Sequence, residues 1–252
     1  TLTTAMNASL ELGPITTGPG LYKSTSAMAS TLQGWWRLNT DVSVSGDCTD
    51  SSGNGRTGTF GSSANRPQFS TNLFPSSYVQ TGSCTFDGGG DADDRTSVGT
   101  AATWDDIIGN DTANGSTQQM TLAAWVYKTG NGEGGFGRIM DFGQGDIKWY
   151  TASNGRVYFS AKWDGNNIVQ WATTSTSIDL NEWYHIVVTY DANSASNNPK
   201  IYINGQPVGV FLDSGTQTGA YYGIVSQNAY IGNNDNNDRT FQGQLADVAV
   251  WN

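Results

Sequence analysis

Apolar and polar residues alternate through the middle of the chain. Ile147-Lys148-Trp149-Tyr150, Val157-Tyr158-Phe159-Ser160-Ala161-Lys162 and Val169-Gln170-Trp171 each place an apolar set on one side. A period of two is the mark of half-buried strands. We therefore assign Ile147, Trp149, Val157, Phe159, Ala161, Val169 and Trp171 to a core. Lys148, Tyr150, Tyr158, Ser160, Lys162 and Gln170 form the opposite face.

The stretch Glu182 to Phe211 predicts three more strands. Trp183 to Tyr190 is aromatic and β-branched, a composition that suits a pleated surface. Lys200–Ile203 and Pro207–Phe211 flank Asn204-Gly205, a strong hairpin signal because a type I′ turn needs φ > 0 at both central residues. Further strands are expected near 34–38, 84–87, 119–127, 137–142, 229–232 and 241–251. Residues 88–118, rich in Asp, Asn, Gly and Thr, read as a long surface loop with a helical turn at Thr103–Ile108 capped by Thr103. Many short strands with turn signals and no repeat indicate an all-β, two-sheet antiparallel jelly-roll sandwich. Residues 1–32 show no hydrophobic period and contain Pro14 and Pro19, so they read as an extended N-terminal arm or linker before a domain at 33–252.

Composition narrows the partners. Gly, Ser, Thr and Asn abound, charged residues are 13%, and the net charge of −10 repels the phosphates of nucleic acid and anionic membranes. No apolar run reaches the length of a membrane span, and no signal-peptide pattern opens the chain. Cys48 and Cys84 are expected to pair, closing a loop worth roughly 3–4 kcal/mol; two unpaired thiols are the alternative.

Five pieces in order carry a family resemblance. They are Trp36 with Asp50-Ser51-Ser52-Gly53-Asn54-Gly55, Cys84-Thr85-Phe86-Asp87-Gly88, Met120 to Val126, Trp183 to Asp191 with Ile201 to Gly205, and Phe241 to Trp251. Together they resemble the laminin G-like domains of the concanavalin A-like lectin/glucanase superfamily. The resemblance implies a structural Ca2+ held by Asp50, Asn54, Asp87 and Asp247; turn chemistry at the same Asp and Asn residues is the plain alternative. Asp91-Ala92-Asp93-Asp94 opens like an EF-hand loop but has Thr96 where the turn needs Gly.

The polar face of the meander is the candidate ligand site. Tyr150 and Tyr158 offer rings to stack on a sugar, while Lys148, Ser160, Lys162 and Gln170 offer hydrogen bonds to its hydroxyls. An ordinary solvated face with paired tyrosines is the alternative. Catalysis is not expected. The laminarinase-type enzymes of the superfamily carry paired glutamates on one strand, whereas Glu11, Glu133 and Glu182 are scattered. Asp105-Asp106 and Asp93-Asp94 are adjacent pairs that point apart if extended. The single histidine, His185, reads as a core or structural residue. The expected function is a non-catalytic adhesion module that binds glycan or cell-surface polysaccharide at an extracellular or virion surface. The alternatives are a decoration protein anchored to neighbouring subunits through residues 1–32, and a polysaccharide hydrolase or lyase.

Overall fold

In the computed structural model, which describes residues 31–39, 47–61, 66–71, 82–89 and 94–252, the alternation becomes two stacked antiparallel sheets. The first part of the chain gives β1 (Leu32–Trp36), β2 (Asp47–Cys48), β3 (Gly58–Phe60), β4 (Gln68–Ser70), β5 (Ser83–Asp87) and β6 (Thr96–Thr100). Helix α1 (Ala101–Ile108) follows, then β7 (Gln119–Lys128), β8 (Phe136–Phe142), β9 (Ile147–Ala152), β10 (Val157–Trp163) and β11 (Asn167–Thr173). The last part gives β12 (Trp183–Asp191), β13 (Lys200–Ile203), β14 (Gln206–Val208), β15 (Val210–Ser214), β16 (Asn228–Ile231) and β17 (Gln242–Trp251). Among the described strands, the first sheet runs β14-β13-β12-β7-β17-β5-β4, with β1 also paired to β17. The second runs β15-β11-β10-β9-β8-β16-β6-β3-β2.

The core lies between the sheets, and the sequence pattern places it correctly. Ile147, Trp149, Val157, Phe159, Ala161, Val169 and Trp171 are all fully buried there. From the first sheet they meet Leu122, Ala124, Val126, Ile186, Val188 and Tyr190. The hairpin forms as expected, with Asn204 at φ 50° and Gly205 at φ 77° and Ile203 facing Gln206.

Two expectations are corrected. The run Pro207–Phe211 is not one strand: the chain changes sheets at Gly209, so β14 pairs with β13 and β15 pairs with β11. A side chain at Gly209 would meet the Thr174 hydroxyl, which fixes glycine at this close crossing. Residues 88–118 are also not simply a loop. β6 pairs with β16 and β3 inside the second sheet, and α1 buries Trp104, Ile107 and Ile108. The helix is capped by Thr100, whose hydroxyl accepts from the Thr103 amide, and not by Thr103 itself. The expected arm falls almost wholly outside the described residues; of its last positions, Leu32 already belongs to β1.

Candidate functional site

On the outer face of the second sheet, strand register brings all six predicted ligand residues together. Tyr150 pairs with Tyr158 and Lys148 with Ser160 across β9 and β10, and Ser160 with Gln170 across β10 and β11. The tyrosines do not form an open stacking platform. Their rings lie parallel, 5.0 Å apart at 6°, so each covers a face of the other. The Arg138 guanidinium covers the remaining face of Tyr150, 4.6 Å from its centroid. The edges are tied as well: the Tyr150 hydroxyl donates to Gln170 Oε1 at 2.6 Å, and Asn154 Nδ2 donates to the Tyr158 hydroxyl at 2.9 Å. Tyr150 and Tyr158 are consequently buried, and Ser160 fully so, which leaves Lys148, Lys162 and Gln170 half-buried around them. Hydrogen-bonding groups are gathered as expected, but the sugar-stacking role of the two rings is corrected.

The outer face of the first sheet carries a row of half-buried aromatic residues. On β7 the residues pointing away from the core are Ala123, Trp125 and Tyr127, spaced about 7 Å apart along the strand. On β12 their partners are Val187, His185 and Trp183. Trp125 lies 5.2 Å from the His185 ring, and Tyr127 lies 5.3 Å from Trp183. On the other side, Trp35, Leu32, Ala249 and Trp251 form a small apolar cluster outside the main core. Between these groups is a shallow depression lined by Leu32, Trp35, Trp125, His185, Asp247 and Trp251 over the two alanines. It is open and shallow, with only about 30 Å³ of sheltered space for water, so a larger ligand lies across it and not within it.

A bulge in β17 aims the polar group of this site. Register shifts between Ala246 and Ala249, and Asp247 takes φ 47° there, turning its carboxylate to the outer face. Asp247 Oδ1 accepts from Trp35 Nε1 at 2.9 Å, and Arg37 Nε stands 3.9 Å away. Burial pushes the carboxyl up to about 6, against the pull of Trp35 and Arg37. Burial likewise holds the His185 imidazole down to about 4, so it is neutral at pH 7. His185 therefore lines an outer-face site and is not a core residue.

The four residues expected to hold Ca2+ do not fit one ion. Asp50 Oδ1 accepts from the Trp35 and Ser52 amides, and its Oδ2 accepts from the Ser52 hydroxyl and the Arg56 amide, all within 3.0 Å. Asn54 Nδ2 donates to the Leu32 carbonyl, and Asp87 Oδ1 accepts from the Gly89 amide. Asp247 faces the tryptophans. Among the described residues no three acidic, cysteine or histidine groups converge as a metal site. Asp91 and Asp93 lie outside the described residues.

The expected disulfide is not formed. Cys48 on β2 and Cys84 on β5 are both buried as free thiols, and burial pushes Cys48 up to about 12 and raises Cys84 further from ionising. Thiolate, the species that starts disulfide chemistry, is strongly disfavoured at both. Asp105, Glu133 and Glu182 serve as turn and loop anchors. Asp105 Oδ1 accepts from the Asn110 and Ile224 amides, Glu133 from Thr240, and Glu182 from the Tyr184 hydroxyl.

A laminin G-type family model of the concanavalin A-like lectin/glucanases superfamily matches residues 97–252. The chain belongs to this superfamily. Members share the stacked sheets described above, and three solved structures resemble this member in fold. Domain 4 of AbnA, an extracellular GH43 arabinanase from Geobacillus stearothermophilus solved with arabinotriose, is 17% identical with a TM-score of 0.51, covering 88% of this chain and 92% of that one. Trypanosoma rangeli sialidase is 15% identical with a TM-score of 0.55, covering 99% and 35%. Botulinum neurotoxin type C, whose cell entry depends on interaction with two ganglioside molecules, is 15% identical with a TM-score of 0.50, covering 88% and 48%. The chain thus spans half or less of the last two. No curated protein sequence matches it.

Proposed function

We propose that the protein is a non-catalytic glycan-binding module whose saccharide lies across the tryptophan-lined depression of the first sheet. The observation that carries this reading is the arrangement of Trp35, Trp125 and Trp251 around an alanine floor, with the Asp247 carboxylate turned into it by the β17 bulge. A sugar ring presents C–H groups on its faces and hydroxyls on its rim. The half-buried indoles of Trp125 and Trp251 suit the faces, with Trp35 buried behind them, and Asp247 Oδ2 and the neutral His185 ring suit the hydroxyls. Tyr127 and Trp183 extend the aromatic track along the strands, giving a second sugar a place to rest. The arabinotriose-bound arabinanase domain and the ganglioside-dependent toxin support a saccharide ligand.

The test is a polysaccharide panel followed by quantitative titration of any ligand retained. Trp125→Ala and Trp251→Ala should each weaken binding by about tenfold, a loss of about 1.4 kcal/mol. Tyr158→Phe, on the far sheet, should leave neutral-glycan binding unchanged. Failure of every saccharide to bind, or equal binding by the tryptophan variants, overturns the reading.

A further inference from the structure

The second sheet holds a group of donors that its own residues leave unanswered. Lys148 sits at the centre of that face with no ion-pair partner among the described residues, and the charges of Arg138, Lys162 and Arg239 all act on it. Those three neighbours are matched by acids: Arg138 Nε binds Asp141 Oδ2 at 2.9 Å, Lys162 Nζ binds Asp146 Oδ1 at 2.8 Å, and Arg239 Nη1 lies 3.6 Å from Asp238. Counting Asp213, four acids stand against four cations here, but none of the acids lies within ion-pair distance of Lys148. Asp213, on β15, is turned to Gln170 Nε2 at 2.8 Å. Asp141, directly opposite Lys148 in register, attracts its charge but gives its hydrogen bond to Arg138.

Two further groups beside Lys148 lack partners. The Ser160 hydroxyl, directly opposite Lys148 in register, is fully buried with no hydrogen bond. Arg138 Nη1 is buried with no hydrogen bond, its side chain held over Tyr150. Unanswered buried donors are costly, and natural structures rarely keep them without reason. An ammonium, a guanidinium nitrogen and a hydroxyl can all donate, and an oxyanion accepts from all three.

We propose that Lys148, Arg138 and Ser160 form a binding site for one oxyanion, the carboxylate or sulfate of an acidic sugar residue. Gln170 and the Tyr158 hydroxyl, on the same face, suit the neighbouring sugar hydroxyls. The net charge of −10 repels a dense polyanion, so the acid is an isolated one within a mostly neutral saccharide. The site lies on the opposite outer face from the tryptophan depression and stands without it.

Calorimetric titration of the full chain tests this with four probes: a galactotriose in which one residue is galacturonate, a mono-sulfated galactotriose, unsubstituted galactotriose and inorganic sulfate. Either acidic trisaccharide should bind at least about tenfold tighter than the neutral one, and the tighter of the two identifies the acid. Lys148→Met should remove the preference while Trp125→Ala keeps it, which separates this site from the tryptophan site. Should Lys148→Met not fold, Ser160→Ala, a smaller side chain in the same buried position, should reduce the preference several-fold. Equal binding of acidic and neutral probes, a preference that survives both substitutions, binding of inorganic sulfate alone, or no binding of either acidic probe overturns the proposal.

Discussion

Trp35 donates its indole N–H to Asp247 Oδ1 at 2.9 Å across 212 positions of sequence, joining β1 to the bulge of β17. Desolvation keeps that carboxyl protonated up to about 6, above its ordinary 3.8. An acid whose folded value is raised favours the fold most below its unfolded value, and that contribution is lost as pH rises through the folded one. Asp247→Asn copies the protonated form and keeps an oxygen for the indole. We predict that it raises Tm at pH 8, by about 1–3 kcal/mol of stability, and has no effect below pH 4. Thermal melts at the two pH values check this. A lower Tm at pH 8 would show that the ionised carboxylate is needed.

Asp50 is the most heavily bonded acid near the N-terminal end of the described chain. Its two oxygens accept four hydrogen bonds, one from the buried Trp35 amide. Removing such an acceptor strands buried donors, so Asp50→Ala should cost about 2–4 kcal/mol in denaturant titration. The same loss is expected with calcium or with a chelator, and the wild-type Tm should be the same in both. A chelator-sensitive melt would return the metal to Asp50.

Much of this architecture is legible in the sequence where one face is strictly polar. Phe159 and Trp171 are flanked by Tyr158, Ser160 and Gln170, so their phase was unambiguous, and both are fully buried. The phase is not legible where both faces are apolar. Leu122 to Tyr127 reads as one buried run, yet inward Leu122, Ala124 and Val126 require Trp125 and Tyr127 to face out. β6 was hidden because Val98 is its sole buried apolar residue, and β2, β3 and β4 are too short to show any period. The side on which Tyr150 and Tyr158 lie was readable, but not that their rings use their faces on each other. The direction of Asp247 depends on a backbone bulge that no local residue signals.

The two cysteines give a clean chemical reading. Because Cys48 and Cys84 are buried thiols, Ellman's reagent should find none in the native protein and two after unfolding under non-reducing conditions. Zero thiols after unfolding would restore the bridge. Reductant should accordingly leave Tm unchanged.

Lys148 tests the electrostatics of the second sheet without any ligand. Burial, with Arg138, Lys162 and Arg239 nearby, brings its ammonium down to about 8 from 10.5, and Asp141 only partly restores it. A base whose folded value is lowered destabilises the fold fully below that value, and the penalty fades between the folded and unfolded values. Lys148→Met removes the penalty, with a side chain of similar length for the same space. Asp141 keeps its bond to Arg138 in this variant, so no acid is left without a partner. At pH 7 the variant should therefore be about 1–3 kcal/mol more stable than wild type, and the difference should shrink as pH rises towards 10.5. A variant less stable than wild type at pH 7 would mean that a partner already answers the ammonium, which removes the basis for an oxyanion site on this face.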